Sequence, residues 1–214
     1  MFPLSNVVLF PRVKTPLHLF EPRYRQLARD VVDGDRRIAM AVVRPEHAAE
    51  MPGDPPIYPV ACVGVVTESQ RLPDGRYNLV LLGQERVRVV GETPPDERRL
   101  YRVGHVVPLE DAYPESERAR VAQLRAAITR DVGAIVHATK VGRKARFDAD
   151  LFGGVDDETF VNAVANAFAF PTEDKQSLLE ADSIPERYAR LASALAFQRA
   201  ALEAGGGSGG GRLH

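Results

Sequence analysis

A tight turn between two long apolar segments constrains the fold of this chain more than any other feature. The turn is Pro73-Asp74-Gly75, between VACVGVVTESQRL and RYNLVLLGQERVRVV. Proline fixes φ at the first corner, aspartate tolerates the second, and glycine accepts a positive φ. The sequence therefore predicts a β-hairpin with long arms.

Shorter segments of β character surround this hairpin. Apolar and β-branched runs punctuated by proline predict further strands at residues 7–10, 16–20, 37–44 and 101–109. One helix is predicted over residues 22–32, because Pro22 suits a first helical position and apolar residues recur along one side. The chain up to residue 112 is therefore predicted to be a β-rich domain that carries one helix.

The apolar period changes to that of helices from residue 115. A short helix is predicted over residues 173–181, and Ser183 with Glu186 forms a capping box at the start of a last helix. Residues 140–154 are polar and contain glycine, which predicts a loop. The helical positions are Val121, Leu124, Ile128 and Ile135, then Phe160, Val161, Val164 and Phe168.

These patterns predict an α+β fold in which a β-rich domain is followed by an all-helical bundle. The predicted boundaries are residues 1–112 for the β-rich domain and 113–204 for the bundle. Residues 205–214 are predicted to form a flexible tail, because glycine–serine chains have high backbone freedom and little apolar area to bury.

Charge and composition argue against several classes of function. The net charge of −1 does not suit a nucleic-acid binder held by bulk electrostatics. Cys62 is the single cysteine, which excludes an intrachain disulfide framework and a cysteine-based zinc site, and its apolar neighbours predict burial. The sequence has no G-x-x-x-x-G-K-[ST] phosphate loop, and its five histidines are scattered. We therefore predict no catalytic site, no cofactor and no metal site.

Two local patterns match sites without the surroundings that a site requires. A G-x-S-x-G pattern occurs at residues 206–210, but its chemistry needs a strained strand-to-helix turn that a flexible tail does not provide. Lys140, Arg143, Lys144 and Arg146 form a basic cluster that lacks the interleaved aromatic residues of a nucleic-acid surface. A solvated loop is the preferred interpretation of that cluster.

The apolar start of the chain lacks the organisation of a secretory signal. No lysine or arginine precedes MFPLSNVVLF, and no A-x-A pattern follows it. No segment approaches the run of about 18 apolar residues that a membrane span requires. We therefore expect a cytoplasmic protein with no membrane partner.

Three motifs carry a resemblance to a known family. The segment PLSNVVLFPRVKTPL is similar to the start of the N-terminal substrate-binding domain of the Lon proteases. VGVVTESQRLPDGRYNLVLLGQERVRV resembles the central hairpin of that domain, including L-P-D-G and the G-x-x-R-[VA]-[RK] arm. DKQSLLEADSIPERYARLASAL is similar to its closing segment. The three motifs occur in the family's order, and the resemblance extends over residues 3–203.

The resemblance implies a fold and a function. The family's domain is a β-rich, PUA-like pseudo-barrel with one helix, followed by a helical bundle. In full-length Lon it captures unfolded or degron-bearing substrates and helps assembly, while hydrolysis belongs to a separate ATPase module and a serine–lysine protease domain. Neither is present in this sequence, so the resemblance predicts a stand-alone, non-enzymatic module. Its expected partner is an unfolded polypeptide or a partner protein, and an adaptor role in proteolysis is the finer hypothesis.

A PUA-like RNA-binding module is the alternative hypothesis, because barrels of this type bind RNA in other families. Residues 1–109 contain 15 lysines and arginines and 13 aspartates and glutamates, a net of +2. That excess is too small for a dedicated basic face.

The predicted partner-binding residues are Phe20, Glu21, Arg23 and Tyr24, at a strand-to-helix junction. The resemblance implies exposed charges that contact substrate in this loop and first helical turn. Arg23 keeps the basic character, whereas Pro22 departs from the family's pattern. The competing interpretation is that these residues cap the helix and pack it onto the barrel.

Overall fold

The computed structural model describes residues 1–51, 53–138 and 154–206. Within them the chain forms six strands, five helices and two short 3-10 helices, at Pro45–Glu50 and Glu115–Glu117. The strands are β1 (Phe2–Leu4), β2 (Lys14–Leu19), β3 (Arg37–Val42), β4 (Val60–Arg71), β5 (Tyr77–Thr93) and β6 (Val103–Pro108). The helices are α1 (Pro22–Val32), α2 (Arg118–Ala138), α3 (Asp157–Ala167), α4 (Thr172–Leu179) and α5 (Ile184–Gly206). The α+β prediction is confirmed. Of the predicted loop over residues 140–154, all but Gly154 lies outside the described residues, including its four basic residues, as does the tail beyond Gly206.

All six strands belong to one sheet, with the order β1-β3-β4-β5-β2 and with β6 also paired to β5. Strand β5 is 17 residues long, so its first part pairs with β2 and its last part with β6. Register shifts in β4–β5 and β5–β6 mark bulges, which bend a sheet. The Met1 nitrogen donates to the carbonyl oxygen of Arg102 at 2.9 Å, just before β6. This bond links the β1 and β6 ends of the sheet, as in a pseudo-barrel.

The central hairpin forms as predicted. Gly75 has a φ of +83°, which an L-residue rarely adopts, and its amide donates to the Leu72 carbonyl at 2.9 Å. The Leu72 amide donates to the Arg76 carbonyl at 2.8 Å and closes the arms. The turn residues therefore account for the hairpin.

The prediction of a strand at residues 7–10 is wrong. This segment is irregular, although Val8, Leu9 and Phe10 are buried. Pro11 has no amide hydrogen to donate to a ladder, and Arg12 has a φ of +65°, outside the β region. The segment therefore fills the core as a loop and not as a strand.

The chain divides into two compact units. Unit 1 comprises Met1–Glu110 and Asn162–Glu180, and the remainder of the described chain forms unit 2. The sequence pattern placed residues 162–180 with the helical bundle. Side-chain amides explain their place in unit 1, since Asn162 donates to the Pro11 carbonyl at 3.2 Å and Gln176 donates to the Val60 carbonyl at 3.0 Å. Independent folding of the predicted domains stays a prediction.

The core of unit 2 lies between α2 and α5. Helix α2 buries Val121, Ile128 and Ile135 as predicted, whereas Leu124 is half-buried. Helix α5 buries Ile184, Tyr188, Leu191 and Leu195. At the start of α5 the Glu186 amide donates to Ser183 Oγ at 3.3 Å, as a capping box requires. The Glu186 carboxylate instead accepts from the Asp182 amide at 3.0 Å. The predicted cap is therefore confirmed, except that the Glu186 carboxylate binds the amide of Asp182 and not that of the N-cap residue Ser183.

Asp157, in the first turn of α3, organises the polar part of unit 2. Its carboxylate accepts from the Tyr113 hydroxyl at 2.6 Å and from Arg125 Nη1 at 2.7 Å. The Tyr188 hydroxyl donates to the Asp157 carbonyl oxygen at 3.0 Å. Burial acts to raise the pKa of Asp157, but the hydrogen bonds from Tyr113 and Arg125 outweigh it and lower that pKa. The ionised carboxylate is therefore the form that stabilises unit 2.

We expect Asp157→Asn to lower the free energy of unfolding by about 1–3 kcal/mol at pH 7, because the buried donors lose a charged acceptor. A carboxylate with a lowered pKa stabilises the fold above its unfolded pKa of about 3.9, and that stabilisation is lost as the pH falls through the folded pKa. Urea unfolding followed by circular dichroism at pH 7 and at acidic pH measures both effects. The control is Glu203→Gln, which removes an exposed carboxylate from α5. Equal losses in the two variants, or a loss independent of pH, would contradict the role given to Asp157.

Candidate functional site

Strands β2, β5 and β4 present one solvent-facing surface, which we call the hairpin face. The register places His18, Asn78 and Gln70 in one row across the three strands. Pro16, Val80 and Glu68 form the adjacent row. Because side chains alternate along a strand, both rows lie on the same side of the sheet. Together they line a groove of about 410 Å³.

Hydrogen bonds order the polar row of the hairpin face. The His18 ring nitrogen Nδ1 lies 2.7 Å from Asn78 Oδ1, and Asn78 Nδ2 donates to Gln70 Oε1 at 3.2 Å. Arg76 Nη1 lies 3.3 Å from His18 Nε2. One neutral tautomer satisfies both contacts of His18, with Nδ1 donating and Nε2 accepting. The row is therefore held in one arrangement. The Gln70 amide nitrogen donates to no other described residue, so its hydrogens are available to a ligand.

Phe20 extends the hairpin face beyond the end of β2. Its side chain is on the side of Pro16 and His18 by strand alternation, and the residue is 60% exposed. The Phe20 ring stacks on the His18 ring at a centroid distance of 6.2 Å. An exposed aromatic ring beside a groove offers apolar area that is buried only when a partner binds.

The other predicted site residues serve the packing of α1. Glu21 is the N-cap residue of α1, and Arg23 Nε donates to Glu21 Oε2 at 3.0 Å. Arg23 also donates to the carbonyls of Met51 at 2.6 Å and Gly53 at 3.0 Å. The guanidinium of Arg23 lies 4.5 Å from the centre of the Tyr24 ring. Its polar atoms are thus engaged with unit 1 itself.

Tyr24 is buried, and its ring meets Phe2 edge-on at a centroid distance of 4.5 Å. Burial raises the pKa of Tyr24 to about 12, so the hydroxyl stays protonated. Of the four predicted residues, the structure places Phe20 on the hairpin face and the other three at the base of α1.

Sequence reasoning missed His18, Asn78 and Gln70. The turn at Pro73-Asp74-Gly75 sets the hairpin register, and that register alone pairs Gln70 with Asn78. The place of His18 depends on how β2 docks onto β5, for which the sequence carries no local signal.

Cys62 is fully buried, as predicted, and its thiol donates to the Val63 carbonyl at 3.6 Å. No group of three or more histidine, cysteine, aspartate or glutamate side chains suited to a metal ion occurs among the described residues. None of the helices in the described chain has the length and apolar character to cross a membrane.

Comparison with known proteins gives the family. The family model of the ATP-dependent protease La (LON) substrate-binding domain matches residues 1–196. The chain belongs to this family. The resemblance seen in the three sequence motifs is therefore confirmed. The observed order of elements, a β-rich part followed by helices, agrees with the fold that this resemblance implied.

Curated relatives of this family match over part of their length. Lon protease of Cytophaga hutchinsonii is 26% identical over 189 residues, which are 87% of this chain and 22% of the relative. Lon protease 2 of Syntrophobacter fumaroxidans is 29% identical over 95% of this chain and 24% of its own length. The chain thus spans about a quarter of the curated relatives it matches.

Two solved structures share the fold. The N-terminal domain of the Mycobacterium avium complex Lon protease superposes with a TM-score of 0.70 at 14% identity, over 91% of this chain and 96% of that one. The Lon N-terminal domain protein from Xanthomonas campestris gives a TM-score of 0.59 at 21% identity, over 92% and 95% of the two chains. The fold is therefore that of a Lon N-terminal domain.

Proposed function

We propose that this chain is a recognition module that binds exposed segments of other polypeptides without cleaving them. Membership of a substrate-binding domain family over residues 1–196 supports a binding role. The observation that carries the proposal is the hairpin face, where exposed Phe20 adjoins an ordered polar row beside a groove.

The chemistry of the hairpin face suits an extended, apolar peptide. Phe20, Pro16 and Val80 offer apolar contacts to alternate side chains of a bound segment. Gln70 and Asn78 offer amide groups to its main chain, and such bonds are independent of peptide sequence. Unfolded proteins expose segments of this kind, whereas folded proteins bury them.

The proposal includes no hydrolysis, because the sequence holds no phosphate loop and the described residues hold no metal cluster. An adaptor role, in which the module presents its client to a separate protease in the cytoplasm, is the finer form of the hypothesis. The RNA-binding alternative has no support from the relatives or from the hairpin face, whose polar row consists of two side-chain amides and one histidine. We do not propose it.

We expect Phe20→Ser to weaken binding to an unfolded protein at least about tenfold, because burying a phenylalanine ring is worth about 1.5–3 kcal/mol. Fluorescence anisotropy with labelled, reduced and carboxymethylated α-lactalbumin measures the dissociation constant. The matched control is Phe197→Ser, since Phe197 on α5 is 78% exposed and belongs to unit 2. The control is expected to bind as the unaltered protein does.

The Arg23 hypothesis is tested in the same assay. Arg23→Glu is expected to lower the melting temperature through loss of its bonds to Met51 and Gly53, with little effect on binding by the folded fraction. Equal binding by Phe20→Ser and Phe197→Ser, or cleavage of the probe protein, would contradict the proposed function.

A further inference from the structure

A second groove in unit 1 is lined by arginine. It has a volume of about 290 Å³ and lies between α1 and the end of the central hairpin. Arg25 and Arg29 border it from α1, Arg71 borders it from the end of β4, and Leu100 lies on its rim. We call it the arginine groove. No acidic residue occurs among the described residues that line it.

The arginines of this groove are poorly neutralised by the rest of the protein. Within the described chain, the guanidinium groups of Arg25 and Arg71 make no hydrogen bond or ion pair. Arg29 contacts Asp30 at 3.2 Å, but Asp30 also accepts from the Tyr101 hydroxyl. Like charges one helical turn apart, as in Arg25 and Arg29, destabilise a helix. The groove therefore carries an unbalanced positive charge that an anion would offset.

The walls of the arginine groove are fixed in place. Gln26 Nε2 donates to the Arg98 carbonyl at 2.6 Å, and Gln26 Oε1 accepts from the Leu100 amide at 2.7 Å. These bonds tie the segment before β6 to α1. Arg25, also on α1, reaches the hairpin turn, where its guanidinium lies 3.1 Å from the position that a Gly75 Cβ would take. Arg25 thus packs against the turn of the hairpin, and its position is set before a ligand binds.

We propose that the arginine groove binds acidic peptide segments with two carboxylates in a Glu-x-Glu pattern. The side chains of Arg25 and Arg29 start about 6 Å apart on one helix face. In an extended peptide, residues i and i+2 point to the same side about 6.6 Å apart, which matches that spacing. Arginine binds carboxylates through two parallel hydrogen bonds. The residue between the two glutamates would point away from the arginines, beside exposed Leu100.

The surroundings favour a peptide over a nucleic acid. Residues 1–109 carry a net charge of only +2, which is small for a domain that binds a phosphate backbone. Leu100 gives the rim an apolar contact that suits a side chain. This proposal goes beyond the hairpin face, because Arg25, Arg29 and Arg71 line a different groove from Phe20, His18 and Asn78.

The test uses the full chain and a fluorescein-labelled peptide amide, Gly-Glu-Leu-Glu-Gly, with the glutamine version as its partner. The glutamate peptide is expected to bind at least tenfold more tightly than the glutamine peptide, and rising salt is expected to weaken it through screening. Arg25→Gln and Arg29→Gln are each expected to weaken glutamate-peptide binding about tenfold. The matched control is Arg88→Gln, an exposed arginine on β5 outside the groove.

The variants keep this proposal separate from the hairpin face. Phe20→Ser is expected to leave the affinity for the glutamate peptide unchanged. Arg25→Gln is expected to leave the affinity for unfolded α-lactalbumin unchanged. Failure of either prediction thus leaves the other proposal standing. Equal affinity for the two peptides, equal loss in the Arg88→Gln control, or preference for a 12-nucleotide single-stranded DNA over the glutamate peptide would overturn the proposal.

Discussion

Replacing Arg86 by methionine is expected to lower the free energy of unfolding by about 2–6 kcal/mol. Arg86 is almost fully buried in β5, and its guanidinium donates to the Leu179 carbonyl at 2.9 Å and the Glu110 carbonyl at 3.2 Å. Each buried acceptor left without a donor costs about 1–3 kcal/mol. Leu179 is the last residue of α4, where the negative end of the helix dipole adds to the attraction.

Urea unfolding followed by far-ultraviolet circular dichroism measures this loss, since the chain contains no tryptophan to report by fluorescence. Arg86→Lys keeps the charge but loses the planar fork, so its loss is expected to fall between those of methionine and the unaltered protein. Arg88→Met, at an exposed position two residues along the same strand, serves as the control. A loss below about 1 kcal/mol for Arg86→Met would show that the buried guanidinium does not hold α4 to the sheet.

The G-x-x-R motif that marks the family is thus structural in this chain. Arg86 attaches α4 to β5 through the Leu179 carbonyl. Gly83 has no side chain, so the loop at residues 7–13 can pack directly against β5 at that point. The motif explains why the family was recognisable from the sequence, because the packing of the fold requires both residues. It gives no position for a binding site.

Local signals in the sequence account for the secondary structure. The helix over residues 22–32 was predicted with the bounds that α1 has, since Pro22 and the apolar period both act within the segment. The hairpin followed from the φ that Gly75 adopts. The strand at residues 7–10 failed, because an apolar run has the same appearance in a buried loop as in a strand.

Long-range contacts were not predictable from these patterns. Apolar residues recur with helical spacing in residues 162–180, but that spacing does not indicate which of the two units the helices pack in. Their place in unit 1 depends on amide bonds from Asn162 and Gln176 to carbonyls more than a hundred residues away. The two proposed grooves have the same origin, since Arg25 and Arg71, like His18 and Asn78, meet only through the docking of separate elements.

Gly83→Ala is expected to produce the largest loss of any single substitution proposed here, above about 4 kcal/mol or complete failure to fold. A Cβ on Gly83 would lie 2.0 Å from the Phe10 carbonyl oxygen, which is backbone and does not rotate away. The loop also bonds to Gly83 on both sides, since the Arg12 amide donates to the Gly83 carbonyl and the Gly83 amide donates to the Val13 carbonyl, each at 2.9 Å. Relief of the clash would move the loop, break both bonds and expose Phe10.

Gly91→Ala is the control, because Gly91 lies on the same strand and its nearest neighbour to a new Cβ would be the His105 ring at 3.6 Å. Both variants carry the same change in backbone entropy, so the difference between their melting temperatures isolates the contact with Phe10. If the melting temperatures of Gly83→Ala and Gly91→Ala are equal, the loop over β5 adapts with little loss of stability. The glycine of the motif would then have a role other than close packing. If Gly83→Ala alone unfolds, the buried loop at residues 7–13 is what the motif preserves, because no other residue lets that loop cross the hairpin.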